Sequence, residues 1–188
     1  MSQQQKLAAF LAKYAYQEGD FVLSSGARST FYLDAKQVTY DPDGASLVGA
    51  VVYRLATEFE AEAIGGLTMG ADAIVTSTVI ESARYGRPMP GFVVRKEPKG
   101  HGLQKWIEGV SPAGKRVAIV DDVITSGGSV LSAVKAARQA QARIAVVIGL
   151  VDREEGGKQA IEAVGVPFRA ICTLSEIRAL AANAAAVA

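Results

Sequence analysis

Residues Val117 to Ser129 read VAIVDDVITSGGS: four apolar residues, two adjacent aspartates, a short β-branched step, then a hydroxyl and glycine cluster opening a helix. The apolar run reads as a buried strand. Two carboxylates side by side repel each other and are costly at the end of such a strand, so they call for an occupant. Behind them, Thr125, Ser126, Gly127, Gly128 and Ser129 lead into a helix start, where unpaired N–H groups and the positive dipole end favour a phosphate. Carboxylates repel phosphate but accept hydrogen bonds, so Asp121 and Asp122 suit hydroxyl groups or a magnesium ion. Phosphate on one side and vicinal hydroxyls on the other describe a sugar phosphate. A P-loop is disfavoured because no lysine follows the glycines. Taken alone, the acidic pair equally fits a capped helix behind an ordinary acidic turn.

Around this stretch strands and helices alternate, which implies a parallel sheet flanked by helices, an α/β fold. Before it, periodicity predicts a helix over 3–17 with Leu7, Phe10, Leu11 and Tyr14 on one face, and a hairpin from Phe21 to about Asp34. A helix over 45–59, a strand AEAIGGL, a helix over 71–85 and a strand MPGFVVR follow. After the motif come a helix from Gly128 to about Gln141, a strand ARIAVVIGLVD, a helix over 154–164, a strand PFRAICTL and a helix over 175–182. The acidic pair thus sits at the carboxyl end of a strand, where parallel sheets collect ligands. The polar span KEPKGHGLQKWIEG has no clear period and reads as a long loop, a kind of segment that is usually functional.

The 188 residues carry 20 basic and 19 acidic side chains, so no global field favours nucleic acid or a membrane surface. A single domain is expected, with about 70% of the unfolded surface buried in one core. Cys172, the single cysteine, lies in an apolar run and reads as a core residue. No apolar run is long enough to span a bilayer and no leader pattern follows Met1, so a soluble cytoplasmic protein is expected.

The motif resembles the signature of the type I phosphoribosyltransferases, which bind 5-phosphoribosyl 1-diphosphate (PRPP). The resemblance implies that Asp121 and Asp122 hold the ribose hydroxyls and that the backbone from Val123 and Ile124 through Thr125 to Ser129 surrounds the 5-phosphate. A second constellation, RKEPKGHG, gathers Arg95, Lys96, Lys99 and His101 within seven residues. On spacing alone it reads as a solvated face. Beside the first motif it resembles the catalytic loop of the orotate-specific branch of that family. Cations aimed at a leaving diphosphate would stabilise the transition state more than the ground state, and a closing loop would exclude water.

The resemblance implies magnesium as cofactor, Lys99 and His101 as the catalytic pair, and a homodimer. In it Arg95, Lys99 and His101 serve the neighbouring subunit and Lys96 its own. VDREEGG resembles the strand end where Arg153 pairs with the orotate carboxylate, a geometry suited to a guanidinium fork, and Thr125 also touches the base. By spacing alone Arg153 would pair with Glu154 or Glu155. SSGARSTFYLD resembles a hood segment over the base, so Tyr32 and Leu33 would lie against its ring. The implied layout is a hood over 1–40, a core over about 41–175 and a terminal helix over 175–188. Two departures stand out. Ser24 occupies a place where many members have lysine, and GGLTMGAD offers Met69 and Gly70 where a tyrosine and a lysine are common. Diphosphate contacts there would come from the N–H groups of Thr68 to Ala71, with Asp72 reaching magnesium through water. A purine or uracil phosphoribosyltransferase and a noncatalytic PRPP sensor are the alternatives; the first should lack RKEPKGHG and VDREEGG together, and the second should carry an added nucleic-acid-binding domain or a strongly basic surface.

Overall fold

The apolar run at 117–120 lies in the middle of a six-stranded sheet, in a computed structural model that describes residues 1–22, 26, 28–97 and 106–185. The chain enters through α1 (Gln3–Tyr14), a hairpin of β1 (Tyr16–Val22) and β2 (Arg28–Leu33), a one-turn helix α2 (Lys36–Thr39) and α3 (Pro42–Glu58). Strands and helices then alternate: β3 (Ala63–Leu67), α4 (Asp72–Arg84), β4 (Gly91–Val94), β5 (Ile107–Gly109), β6 (Arg116–Ile124), α5 (Gly128–Gln139), β7 (Arg143–Asp152), α6 (Gly157–Ala163), β8 (Phe168–Thr173) and α7 (Leu174–Ala185). The sheet order is β5-β4-β3-β6-β7-β8, parallel throughout except for β5, which runs antiparallel on the edge.

Alternation along the strands feeds two apolar layers. Ala118 and Val120 of β6 with Ile148 and Leu150 of β7 pack under Leu7, Leu11, Val48, Val52, Ile74 and Ile177 from α1, α3, α4 and α7. Val117, Ile119 and Val147 face the opposite way, onto Val130 and Val134 of α5 and Ile161 of α6. Such strands are buried on both faces, which is why they read as unbroken apolar runs. Cys172 is buried in the first layer, and burial pushes its thiol up to about 12.

Several boundaries differ from the periodicity. The first helix stops at Tyr14 because Tyr16 and Gln17 pair with Leu33 and Tyr32, so the hairpin begins at Tyr16 rather than Phe21. Tyr16 is buried with its ring 5.9 Å from that of Phe31, whereas Tyr14 is exposed. The third helix begins at Pro42, since Asp41 accepts hydrogen bonds from the N–H groups of Asp43 and Gly44 and so caps it. The sixth begins only at Gly157, because Glu154 and Gly156 adopt φ of 61° and 91°. The polar span after β4 contains β5, an edge strand of three residues too short to show a period. The acidic pair lies inside the last four residues of β6 rather than at its end, because pairing with β7 continues to Ile124↔Asp152.

Candidate active site

On its other side β6 is paired with β3 only as far as Gly65↔Ile119. The sheet therefore opens between β3 and β6 where Asp121 and Asp122 lie, at the point where the strand order changes direction. Open α/β sheets bind ligands in such crevices. Both aspartates are buried, at 6% and 8% exposure. Oδ1 of Asp121 accepts from the Asp122 N–H at 3.0 Å, and Oδ1 of Asp122 from the Val123 N–H at 2.9 Å. Burial, reinforced by the Asp122 charge, pushes the Asp121 carboxyl up to about 7. Lys36, the first residue of α2, donates its Nζ to Oδ2 of Asp122 at 2.5 Å. Sequence reasoning missed this lysine. The contact spans 86 positions, and no periodic pattern marks it.

The loop between β3 and α4 lies over the same carboxylates. A Cβ on Gly70 would stand 2.1 Å from Oδ1 of Asp121 and 2.9 Å from Oδ1 of Asp122, so glycine is what allows this approach. Thr68 donates its hydroxyl to Oδ1 of Asp72 at 3.1 Å, while Oδ2 of Asp72 is buried with no hydrogen-bond partner among the described residues. Beyond β6, Gly127 takes φ of 84° and turns the chain into α5, whose N-terminus no side chain caps. Ser126, Gly128 and Ser129 are exposed there, with Thr125 half-buried. Ile124 points into the second apolar layer and Val123 packs on the first, so these two can face a ligand only through their backbones.

Arg153 follows the end of β7, and its N–H donates to the Ile124 carbonyl at 2.8 Å. Its Nη2 pairs with Glu155 at 2.8 Å, its guanidinium lies 5.2 Å from the centre of the Phe31 ring, and its buried Nε has no hydrogen-bond partner among the described residues. Glu154 is occupied elsewhere, accepting from the N–H and hydroxyl of Ser175 at the start of α7. In the hood, Leu33 packs on the first apolar layer, whereas Tyr32 is exposed with its ring 5.6 Å from that of Phe21. The two therefore occupy opposite faces of β2. Phe31, on the same face as Leu33, is the hood ring that meets Arg153.

Arg95 turns its Nε to the Glu97 carbonyl and its Nη1 toward Glu108, 3.8 Å away. Lys96 lines a cavity of about 670 Å³ with Leu67, Trp106, Gly128 and Ser129, which places it beside the start of α5. Lys99 and His101 lie outside the described residues, as does Ser24. The structure thus brings together Asp121, Asp122, the loop from Thr125 to Ser129, the Thr68–Ala71 loop and Lys36.

No protein-family model matches the chain. The orotate phosphoribosyltransferase of Aquifex aeolicus (strain VF5) is 45% identical over 180 residues, covering 94% of this chain and 98% of the relative. This chain belongs to the orotate phosphoribosyltransferases. The orotate phosphoribosyltransferase of Nostoc sp. (strain PCC 7120 / SAG 25.82 / UTEX 2576) agrees, at 43% identity over 174 residues covering 92% of this chain and 84% of the relative. Among solved structures, the Mycobacterium tuberculosis H37Rv orotate phosphoribosyltransferase bound to Fe(III) dicitrate has a TM-score of 0.84 at 34% identity, covering 94% of this chain and 99% of that one. The same enzyme in complex with PRPP gives 0.79 at 31% identity, with the same coverage. As an orotate phosphoribosyltransferase the chain is a pentosyltransferase with the type I phosphoribosyltransferase fold. It transfers the 5-phosphoribosyl group of PRPP to orotate, releasing diphosphate.

Proposed function

We propose that PRPP lies along the crevice between β3 and β6, with its 5-phosphate on the N–H groups of Thr125 to Ser129 and its ribose hydroxyls on Asp121 and Asp122. The observation that carries this is the convergence of a buried carboxylate pair, an uncapped helix start and a glycine loop on one opening of the sheet. Orotate would then lie between the hood and Arg153, its carboxylate taking the guanidinium edge whose Nε has no partner among the described residues. Orotate's ring nitrogen attacks C1 of the ribose as the bond from C1 to the diphosphate oxygen breaks, and the proton that the nitrogen gives up passes to the departing diphosphate or to water. The bonding pair leaves with diphosphate and C1 is inverted, so no covalent nucleophile is needed. Arg95, Lys96, Lys99 and His101 supply positive charge to the departing group, which gains charge in the transition state.

Magnesium fits the donor set. Asp72 has a buried carboxylate oxygen without a partner among the described residues, Asp121 and Asp122 stand across the loop from it, and such oxygens are what a hard cation binds. Asp72 and Asp122 would hold the ion, which supplies charge neutralisation of the diphosphate when bound. A homodimer in the cytoplasm, serving the synthesis of pyrimidine nucleotides, completes the reading. The dimer is supported by exposed apolar side chains: Met69 on the loop beside the crevice, and Ile80 and Tyr85 further along α4 and at its end.

The test is orotate consumption, followed by its absorbance loss, with PRPP and magnesium. Consumption matched by released diphosphate is expected. No consumption at saturating substrate, or faster use of uracil or adenine, would remove the reading.

A further inference from the structure

Three carboxylates meet at the Thr68–Asp72 loop. Asp121 and Asp122 lie against Gly70, and Asp72 is anchored to Thr68. A diphosphate arriving on this loop adds further negative charge, and the loop's own side chains, Thr68, Met69 and Asp72, bring no cation. Among the described residues, Lys36 is the cation paired with this cluster. Its position is built rather than incidental. The Asp34 N–H donates to the Ala15 carbonyl, the Lys36 N–H donates to Oδ1 of Asp34, and this places the lysine at the first position of α2 facing β6. The Asp122 carboxylate stands between the two features, with Oδ2 toward Lys36 and Oδ1 toward Gly70. The lysine side chain is 39% exposed, so the ammonium can leave Asp122 for a neighbouring anion without unburying the core. When hydroxyl groups bind Asp122 they replace its hydrogen bond to Nζ, and the freed charge is one carboxylate away from the loop.

We propose that Lys36 is a substrate-binding residue that pairs with Asp122 in the free protein and transfers to the diphosphate of PRPP when the ribose hydroxyls take the carboxylate. It thereby supplies the cation that Met69 and Gly70 do not. The inference rests on the placement of PRPP given above. Calorimetric titration of the full chain with PRPP, and separately with ribose 5-phosphate, both with magnesium and without orotate, tests it. Lys36→Met should weaken PRPP binding at least tenfold while changing ribose 5-phosphate binding less than threefold, and Lys36→Arg should recover most of the loss. Retained ribose 5-phosphate binding also shows that the variant is folded. PRPP binding within threefold of the parent in Lys36→Met would overturn the proposal. So would an equal loss for both ligands, which would confine Lys36 to tying the hood to β6. If the parent chain binds neither ligand, it is the placement of PRPP that fails.

Discussion

Asp121 carries an electrostatic cost that has a functional signature. Its carboxyl is raised from 3.8 to about 7 by burial and by Asp122, so the folded chain binds a proton there that the unfolded chain has already released. This group opposes folding increasingly as pH rises from about 4 to about 7, on the order of a few kcal/mol above that range. Two ribose hydroxyls need acceptors, and a protonated Asp121 is a poorer one. PRPP affinity should therefore climb as pH rises through about 7 and level off above it, with the step belonging to the coupled pair rather than to one residue. Asp121→Asn should lower PRPP affinity at least tenfold at pH 8 and remove the step, while raising the melting temperature at that pH. PRPP titration and thermal unfolding at pH 6 and 8 check both effects, and a parent affinity constant across that range would refute the assignment. The aspartates were legible in the sequence because a polar pair breaks an apolar run, an anomaly visible without a fold. The Arg153–Glu155 pair was legible too, from spacing alone. Lys36 and Phe31 were not, because each acquires its role from a partner that only the folded chain supplies: Asp122 and the Arg153 guanidinium.

Among the elements, those with a strong period were legible and those defined by pairing were not. The buried strands β6 and β7 and the amphipathic α5 follow the pattern closely, since each buries a long apolar set. The hairpin start at Tyr16, the turn of α2 and the short β5 depend on partners distant in sequence, and local pattern carries little of that. The turn into α5 separates structure from function. Gly127 has φ of 84°, and an added Cβ would meet the Gly157 carbonyl at 3.3 Å. Gly165 has φ of 75° with open space around it. Alanine at either position costs about 1–2 kcal/mol of backbone strain, lowering the melting temperature by a few degrees. Only Gly127→Ala should also displace the N–H groups at the helix start, and it should weaken ribose 5-phosphate binding fivefold or more while Gly165→Ala leaves it unchanged. Equal affinities in the two variants would place the 5-phosphate elsewhere.

At the scale of the molecule, the crevice proposed for PRPP has loop cations at its border. Lys96 and Arg95 both line the cavity at α5, and Arg95 also turns its Nε to the Glu97 carbonyl and its Nη1 toward Glu108 on the β4–β5 edge. A guanidinium on that edge can serve its own crevice or a second copy, and the two arrangements predict different outcomes. The apolar side chains on and beside α4 then provide a surface for that copy to cover. If Arg95, Lys99 and His101 act across a homodimer, each site combines the carboxylate pair of one subunit with the loop of the other. Mixing Asp121→Ala chains with Lys99→Ala chains then produces heterodimers in which one site has both defects and the other has neither. With random reassortment half of the dimers are mixed and carry one intact site of two, so turnover should recover to about a quarter of the parent level from two nearly inactive stocks. The orotate absorbance assay reads this directly after the chains are unfolded together and refolded. Recovery requires sharing, because a loop acting within its own subunit leaves every site in every combination with one defect.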